Sequence, residues 1–398
     1  MIKEYQMAWR FEKVEEQRKI LVEAYWKGTV SMTDLCREFG ISRKTGYKWC
    51  NLYKEYGEES LQDRSKAPKN PHRIYPEEII EMALDFKLRK RGWGPRKILS
   101  TLKSQHPRID WPSATHLYEI FKKNNLVLPR RFRGRVPATH PLGELNASNE
   151  VWSADFKGWF LTQDNHKCEP LTISDGYSRY LIKCTHLDNK SCEYVWPIFA
   201  EAFMEYGLPN RIRTDNGSPF GSIGAGRLTN LAVNFIKAGV VPEWINPGHP
   251  EENGRHERIH LTLKQETASP PAKNIKEQIY RMMIFQEEYN YERPHESLNM
   301  EPPAKHYCKS VRTWDGILRS PEYDTQEMLV RKVGQNGCIW IKQREYYVSK
   351  TLTGEYVGVI EDDISRKVHY GPVYLGELKD GNRRIEKPKL TPKKIVRR

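Results

Sequence analysis

The sequence has few of the features that mark secreted, membrane-spanning or zinc-binding proteins. Its seven cysteines are scattered and form no CxxC pair, so a zinc module of the usual spacing is not expected. It has no apolar run of about 18 residues, and its opening MIKEYQMAWR lacks the apolar segment of a signal peptide. An odd, scattered cysteine count fits a reducing compartment, where cysteine serves as a small core residue. We therefore expect a cytoplasmic protein with no membrane partner.

Acidic residues are the minority among the charges. Lys and Arg number 65 against 51 Asp and Glu, which gives a net charge of +14 and a pI near 9.3. A surplus of this kind indicates a polyanionic partner such as nucleic acid. A basic protein without such a partner is the alternative until motifs are found. At 398 residues the chain is long enough for several domains, each with its own core.

Residues 1–66 predict a helix-turn-helix domain. Within SMTDLCREFGISRKTGYKWCNLYKEYG, a short helix is followed by a Gly-Ile-Ser turn, whose Ser42 is placed to cap the next helix. That second helix would present Arg43, Lys44 and Lys48 to the major groove of DNA. An ordinary helical hairpin is the alternative interpretation.

A second helical domain, resembling another helix-turn-helix unit, is predicted over residues 74–128. Pro76 opens its first helix, and GPRKILSTLKSQ and SATHLYEIFKKNN predict two more, the last capped by Ser113. Two such units in series would cover more than one turn of a DNA duplex.

Residues 129–148 read as a basic linker. The stretch LPRRFRGRVP is too charged to pack in a core, and it contains Arg130, Arg131 and Arg133. Arginines flanked by prolines are suited to follow a DNA backbone, and a merely solvated linker is the alternative.

From residue 149 to about residue 310 the pattern becomes mixed. VWSADFKGWF, KCEPLTISDGY and RYLIKCTHL are β-branched and aromatic runs separated by turns, which predicts three successive antiparallel strands. Helices then alternate with two further strands, RIRTD and VPEWI. Strands first and alternation afterwards predict a mixed α/β layer fold.

Short strand patterns return over residues 320–380. Their spacing of about 8–12 residues predicts a small β-barrel. Residues 381–398 form a basic tail that we expect to be disordered.

Several acids of the mixed α/β region are candidates for chemistry. Asp155 lies inside the first strand, where a buried carboxylate is costly unless a cation satisfies it. Asp215 ends RIRTD at an Asn-Gly turn, and a third acid is expected from WINPGHPEENGRHERIHLTLKQE. Three such carboxylates can hold two Mg²⁺ ions about 3.5–4 Å apart, the arrangement used for displacement at phosphorus. Spacing alone is weak evidence, because Asp164, Asp175 and Asp188 are also in range.

The residues around these acids resemble a known family. VWSADFKG, RTDNGSPF, NPGHPEENGRHERIHLTLKQE and YNYERPHESLNMEPPAKHY are similar, in that order, to the catalytic core of insertion-sequence transposases and retroviral-type integrases, the DDE superfamily. The resemblance is closest to bacterial single-chain transposases that combine N-terminal helix-turn-helix units with an integrase core. It covers about residues 10–310, and it implies an RNase H-like fold for residues 149–310. The segment beyond residue 320 matches only in general character.

The resemblance also implies which glutamate is catalytic. The family pattern NG-x-x-E falls on Glu257, which would join Asp155 and Asp215 as a catalytic residue and metal ligand. A basic residue two helical turns later contacts the DNA end in the family, and Lys264 stands at that position. Asn253 is placed as an N-cap, which puts Glu257 in the first full turn of a helix.

The other glutamates of this segment have plainer interpretations. Glu251 and Glu252 precede the cap, near a helix N-terminus that favours negative charge. Glu266 falls on another face of the same helix.

The resemblance therefore implies a DNA transposase that cleaves the ends of a mobile element and joins them to target DNA. It implies two Mg²⁺ ions, for which Mn²⁺ substitutes, and double-stranded DNA as partner, in the form of terminal inverted repeats and target. Two ends must meet, so a homodimer or higher oligomer is expected, in the bacterial cytoplasm at the nucleoid. A domesticated, catalytically silent DNA-binding regulator is one alternative. A ribonuclease acting on RNA–DNA hybrids is another, and it leaves both helix-turn-helix units unexplained.

Overall fold

The computed structural model describes residues 14–63, 75–127, 145–247, 249–362, 365–379 and 381–388. The chain divides into two compact units, Met1–Ile74 and Tyr75–Arg398. The linker arginines Arg130, Arg131 and Arg133 lie outside the described residues, as does the tail beyond residue 388. None of the helices in these ranges is long and apolar enough to cross a membrane.

The first unit is a helical hairpin on a supporting helix. Its helices are α1 (Val14–Trp26), α2 (Met32–Glu38) and α3 (Arg43–Tyr56). Ser42 caps α3 as predicted, because its hydroxyl accepts the backbone N–H of Thr45 at 3.2 Å. A Cβ at Gly46 would lie 2.7 Å from sulfur atoms of Met32 and Cys36. Only glycine therefore lets α3 cross α2 so closely.

The second unit begins with three more helices, α4 (Glu77–Arg89), α5 (Pro95–Gln105) and α6 (Ala114–Lys123). Pro76 stands just before α4 rather than inside its first turn, and Ser113 caps α6 as predicted. These helices have their own core, which is built around Trp93, Ile98, Leu117 and Phe121.

A mixed five-stranded sheet forms the centre of the second unit. Its strands and a short neighbouring hairpin are β1 (Val151–Phe156), β2 (Phe160–Leu161), β3 (Lys167–Cys168), β4 (Pro170–Asp175), β5 (Leu181–His186), β6 (Arg211–Thr214) and β7 (Val241–Trp244). The strand order is β5-β4-β1-β6-β7. The β1-β4-β5 part is antiparallel as predicted, whereas β6 and β7 run parallel to β1. This is the integrase-like core expected from the resemblance.

Helices cover both faces of this sheet. They are α7 (Cys192–Tyr206), α8 (Asn230–Lys237), α9 (Gly254–Thr267) and α10 (Ile275–Glu287). Phe199 and Phe203 of α7 pack with Trp152 on one face, while Leu263 of α9 and Phe285 of α10 pack on the other. Alternate residues of β1 and β4 therefore face different helices, which directs their polar side chains toward α9.

The last strands do not form the predicted barrel. They are β8 (Leu329–Lys332), β9 (Cys338–Ile341), β10 (Arg344–Tyr347), β11 (Tyr356–Glu361), β12 (Arg366–Tyr370) and β13 (Val373–Leu378). In the part of the chain that is described they make a four-stranded antiparallel sheet, β13-β12-β11-β8, and a two-stranded β9-β10 ribbon. No closed barrel is found among them.

The physical reason for an open sheet is its apolar cover. Val233 and Ile236 of α8 share one core with Val357 and Leu375 of the four-stranded sheet. A Cβ at Gly226, whose φ is +59°, would lie 2.6 Å from Leu375, so backbone and sheet meet closely there. The same core also contains Ile339 of β9 and Tyr346 of β10, so α8 and the β9-β10 ribbon together cover the four-stranded sheet.

Candidate active site

Asp155 lies near the end of β1, on the face toward α9. Its side chain is 22% exposed, and its backbone partner across the sheet is Thr172. The pKa of Asp155 is raised to about 7, mainly by burial and to a smaller extent by the negative charges of Asp215 and then Glu257. Asp215 and Glu257 are therefore near enough to Asp155 for their charges to act on its carboxyl group.

Asp215 comes directly after β6. Because β6 runs parallel to β1, the carboxyl ends of both strands meet at the same edge of the sheet. The Asp215 carboxylate accepts the backbone N–H of Gly217 at 3.2 Å, and burial raises its pKa. The Asn-Gly turn leaves room for this contact, since a Cβ at Gly217 would lie 3.2 Å from the carboxylate.

Glu257 lies in the first turn of α9, and its side chain is exposed. Lys264 is also exposed, two turns along the same helix. Asn253 stands at the N-cap position as predicted, but its side chain is buried and makes no capping hydrogen bond. We refer to Asp155, Asp215 and Glu257 together as the acid edge.

The remaining acids of the glutamate-rich segment have other partners. Glu252 accepts the backbone N–H and the side-chain amide of Asn246, both at 2.7 Å, and so holds the loop before α9. Glu266 forms an ion pair with the largely buried Arg293. The side chain of Glu251 is not among those described.

The three competing aspartates are likewise engaged elsewhere. Asp175 accepts hydrogen bonds from Ser178 and from the backbone of Asn149. Asp164 accepts the hydroxyl of Thr162, and Asp188 lies 3.0 Å from the ring of His186. Their contacts are those of local structural residues.

The acid edge suits a hard divalent cation in its donor chemistry. Carboxylate oxygens are the preferred ligands of Mg²⁺, and a bound cation would relieve the repulsion that raises the pKa of Asp155. Among the residues with described positions, however, no three His, Cys, Asp or Glu side chains are close enough to enclose a metal ion. Asp215 and Glu257 thus affect the pKa of Asp155, but the three described side chains are not positioned around a common metal site.

A buried chain of polar contacts supports Asp155 from behind. His260 Nε2 lies 2.8 Å from the Thr172 hydroxyl, which in turn lies 2.7 Å from His256 Nε2. His256 Nδ1 lies 2.9 Å from the hydroxyl of Ser174. His260 Nδ1 faces the Asp155 carboxylate at 3.9 Å.

His256 and His260, the two histidines of this set of buried contacts, are neutral. Burial lowers the pKa of His260 to about 4 and holds the pKa of His256 well below its usual range. Neutral imidazoles can relay oriented hydrogen bonds from β4 toward Asp155 without adding charge. The only signal for this pair in the sequence was the spacing of four residues, which places both histidines on one face of a helix.

Lys190 is a second neighbour that the sequence did not single out. Its positive charge lowers the pKa of both Asp155 and Asp215, against the larger effect of burial. Its ammonium also pairs with Glu169 at 2.5 Å. A cation at this place keeps part of the acid edge ionised.

The predicted DNA-reading residues lie in the first unit. Arg43, Lys44 and Lys48 are all exposed on α3. No ion pair within the described residues engages these three side chains, so their charges are available to an outside partner. Their role in DNA binding stays a prediction.

Comparisons with known proteins agree with this architecture. A helix-turn-helix domain model matches residues 17–69, and an integrase core domain model matches residues 238–303. The second match contains α9 with Glu257, as well as α10.

Two similar proteins come from bacterial mobile elements. An insertion element IS407 protein of 31.7 kDa from Burkholderia multivorans is 23% identical over 301 residues, which are 73% of this chain and 95% of that protein. The transposase for transposon Tn552 from Staphylococcus aureus is 26% identical over 279 residues, which are 64% of this chain and 56% of that protein.

One solved structure is similar at a greater distance. It is the HTLV-2 integrase catalytic core domain in complex with magnesium, in its trimeric form. The likeness covers 40% of this chain and 98% of that one, at 16% identity and a TM-score of 0.32. At this TM-score the likeness supports no argument about the chain.

Proposed function

We propose that the chain, a member of the transposase and integrase family by its two matching domains and its relatives, is a DNA transposase with its reaction centre at the acid edge. The observation that carries the proposal is the coupling of the three acids, in which Asp215 and Glu257 raise the pKa of a largely buried Asp155. Such coupling costs stability in the free protein and is typical of functional sites. The reaction would be metal-dependent phosphodiester hydrolysis at an element end, followed by transesterification into target DNA.

Asp155, Asp215 and Glu257 would be the ligands of Mg²⁺, with two ions per site and Mn²⁺ as a substitute. When bound, such cations supply Lewis acidity at the scissile phosphate and help ionise the attacking hydroxyl group. The chain's own residues divide the remaining tasks. The sheet fixes the two aspartates at one edge, and α9 brings the exposed Glu257 to the side from which substrate arrives.

Recognition of DNA is assigned to basic groups outside the acid edge. Arg43, Lys44 and Lys48 on the exposed side of α3 would contact bases and phosphates of a terminal inverted repeat. Lys264 would hold the DNA end beside Glu257. The linker arginines 130, 131 and 133 would follow the backbone of the same duplex.

The reaction joins two element ends to one target, so a homodimer or higher oligomer is part of the proposal. We place the protein in the bacterial cytoplasm, at the nucleoid. The catalytically silent regulator is the second candidate function. It does not explain why the fold accepts the repulsion by which Asp215 and Glu257 raise the pKa of Asp155.

A cleavage assay tests the proposal. The substrate is a pair of labelled duplexes taken from the DNA on either side of the reading frame, incubated with full-length protein and Mg²⁺. Glu257→Gln should lower the cleavage rate about 100-fold or more, because an amide provides no charge at the site where charge develops. Glu287→Gln, a change of an exposed glutamate on α10, is the matched control and should cut at the parent rate.

The two candidate functions give different results in this assay. If the parent protein binds both duplexes tightly and never cuts them in Mg²⁺ or Mn²⁺, the regulator is the better account. If Glu257→Gln cuts as fast as the control, the third acid is wrongly assigned.

A further inference from the structure

Basic side chains from four segments converge where the helices α4–α6 meet the catalytic sheet and its helices. We call this set the cationic seam, and it consists of Lys97 on α5, Arg179 in the β4–β5 turn, Arg258 on α9, and Arg293 and His295 after α10. The two parts of the seam are held together by direct contacts. Lys90 pairs with Glu288 at 2.5 Å, and the Ser100 hydroxyl donates to the carbonyl of Met300 at 3.3 Å.

The members of the cationic seam share one electric field. The pKa of Lys97 is lowered to about 8, mainly by burial and to a smaller extent by the positive charges of Arg293 and Arg258. Burial lowers the pKa of His295 to about 3, with Lys97, Arg293 and Arg179 as additional causes. The buried ring of Tyr289 lies 4.8 Å from the ring of His295. The positive charges of Arg179 and Arg258 both act on the Tyr289 hydroxyl, so this side chain lies within the field of both arginines.

Acidic partners are too few to balance these cations. Glu266 forms its ion pair with Arg293, and its charge and that of Glu296 only partly offset the effect of the neighbouring arginines on Lys97. Arg255 adds a further positive charge beside Arg179. Positive charge therefore remains in excess in a region where Arg293 is buried, Lys97 and Arg179 are partly buried, and Arg258 is exposed to solvent.

Two polar atoms of the seam are buried without a hydrogen-bond partner, Nε of Arg179 and Nε2 of His295. Within the described residues, no hydrogen bond or ion pair engages the Arg179 guanidinium or the Lys97 ammonium. Arg179 also has a φ of +67°, a left-handed backbone conformation that costs a non-glycine residue about 1 kcal/mol or more. The fold thus accepts strain and unpaired charge to keep these groups in place.

Burying unpaired cations beside one another is unfavourable unless an anion completes the site. A phosphodiester group fits the chemistry of the cationic seam. It has one negative charge, and its free oxygens can accept hydrogen bonds from an arginine guanidinium and a lysine ammonium. Arg258 directly follows Glu257 on α9, so the seam adjoins the acid edge along the chain.

We propose that the cationic seam binds one backbone phosphate of the DNA strand that enters the acid edge. This inference rests on the proposed function for its choice of DNA as the source of the phosphate. The ligand is recognised by its charge and oxygens, so the contact is independent of base sequence.

The salt dependence of DNA binding tests the proposal in the full chain. Lys97→Met and Arg179→Met keep an unbranched side chain and remove the charge, and Lys276→Met on the exposed side of α10 is the matched control. Affinity for a short duplex is measured in EDTA over a series of salt concentrations. Each seam variant should lower the slope of log K against log salt by about 0.9, the value for one phosphate contact, and the control should not.

Two further measurements separate a binding role from a structural one. The double variant Lys97→Met/Arg179→Met should lower the slope by about 0.9 rather than twice that amount, since both cations hold the same phosphate. Without DNA, both single variants should unfold at a temperature no lower than the parent's, because an unpaired buried charge has gone. Slopes equal to the parent's in both variants, or a loss of thermal stability in both, would overturn the proposal.

A free anion is the other source of the same chemistry. If inorganic phosphate raises the unfolding temperature of the parent while the slope of Lys97→Met stays unchanged, the seam binds free phosphate and the assignment to DNA is wrong. These experiments involve no cutting and no metal. If the seam variants change the slope of log K against log salt in a protein that never cleaves DNA, phosphate binding by the cationic seam is supported and only the proposed function is overturned.

Discussion

The two helical regions of this protein look alike in sequence and differ in how they treat their basic residues. In the first, α3 carries Arg43, Lys44 and Lys48 in water, while the helices pack through an apolar core of their own. In the second, Lys97 of α5 is largely buried, and α4 and α5 are joined to the catalytic region through Lys90 and Ser100.

The difference shows that the same local motif serves two purposes. The exposed cations of the capped helix α3 are accessible to an outside partner, which agrees with the recognition role proposed for them. Lys97 lies instead among other cations at the junction with the central sheet and its helices, where we propose that it holds a single phosphate rather than reading base sequence. Four sets of substitutions test this difference, of which the first should have the largest effect and the last the smallest.

Asp155→Asn should abolish cleavage and leave DNA binding by the exposed helix intact, which isolates recognition from chemistry. It should also change the dependence of stability on pH. Because the pKa of Asp155 is raised to about 7 in the folded protein, the folded state holds this proton more tightly than the unfolded state does. The stability that this proton contributes is present below about pH 4 and is lost as the pH rises to about 7.

Thermal unfolding in EDTA measures this second effect. At pH 8 the Asn variant should be more stable than the parent, by up to about 4 kcal/mol for a shift of about three pKa units. At pH 4 the two proteins should unfold at similar temperatures. Equal stability at both pH values would show that the carboxyl group is less constrained than its burial indicates.

Arg43→Ala and Lys44→Ala test the recognition side of the contrast. Each should weaken binding to the element end by about 1–3 kcal/mol if the lost side chain contacts a base. Competition between end DNA and unrelated DNA measures the change in preference. If the salt slope falls and the preference for end DNA is unchanged, the lost contact is to a phosphate. If both the affinity and the slope are unchanged, α3 does not contact the major groove.

Thr172→Val removes the hydroxyl that joins His260 to His256 while keeping the shape of the side chain. The cleavage rate should fall about 10-fold, comparable to the loss of one buried hydrogen bond, with little change in DNA affinity. A ¹⁵N spectrum of the histidine rings should also show an altered tautomer at His260. Ser174→Ala, farther from Asp155, should have a smaller effect on the rate.

Lys90→Ala tests the attachment of the second helical region. The Lys90–Glu288 pair is partly exposed, so its loss should cost at most about 1 kcal/mol of unfolding free energy. A double-mutant cycle with Glu288→Ala isolates the interaction from other effects of each change. Zero coupling would mean that the two parts are held together by apolar contacts and the Ser100 hydrogen bond.

The local signals in the sequence predicted much of this structure. The serine caps at Ser42 and Ser113 were confirmed, as was the antiparallel order of β1, β4 and β5. Each depends on residues close together in the chain. The helix that carries Glu257 was also located correctly, although Asn253 does not cap it through its side chain.

What the sequence could not predict depends on distant partners. Thr172 meets His256 and His260 across more than 80 positions of the chain. Lys97 looked like one more surface lysine until tertiary packing enclosed it. The predicted barrel is replaced by an open sheet that takes part of its apolar cover from α8, and the spacing of the strands in the sequence could not predict that contact.

The apolar core shared by α8 and the last sheet has a consequence for synthesis of the protein. Val233 and Ile236 leave the ribosome long before β13 ends at Leu378, and the core that covers them is complete only when that strand has been made. A nascent chain that stalls in between exposes this surface to chaperones and proteases. Completion of the core around α8 is thereby coupled to translation of the last sheet.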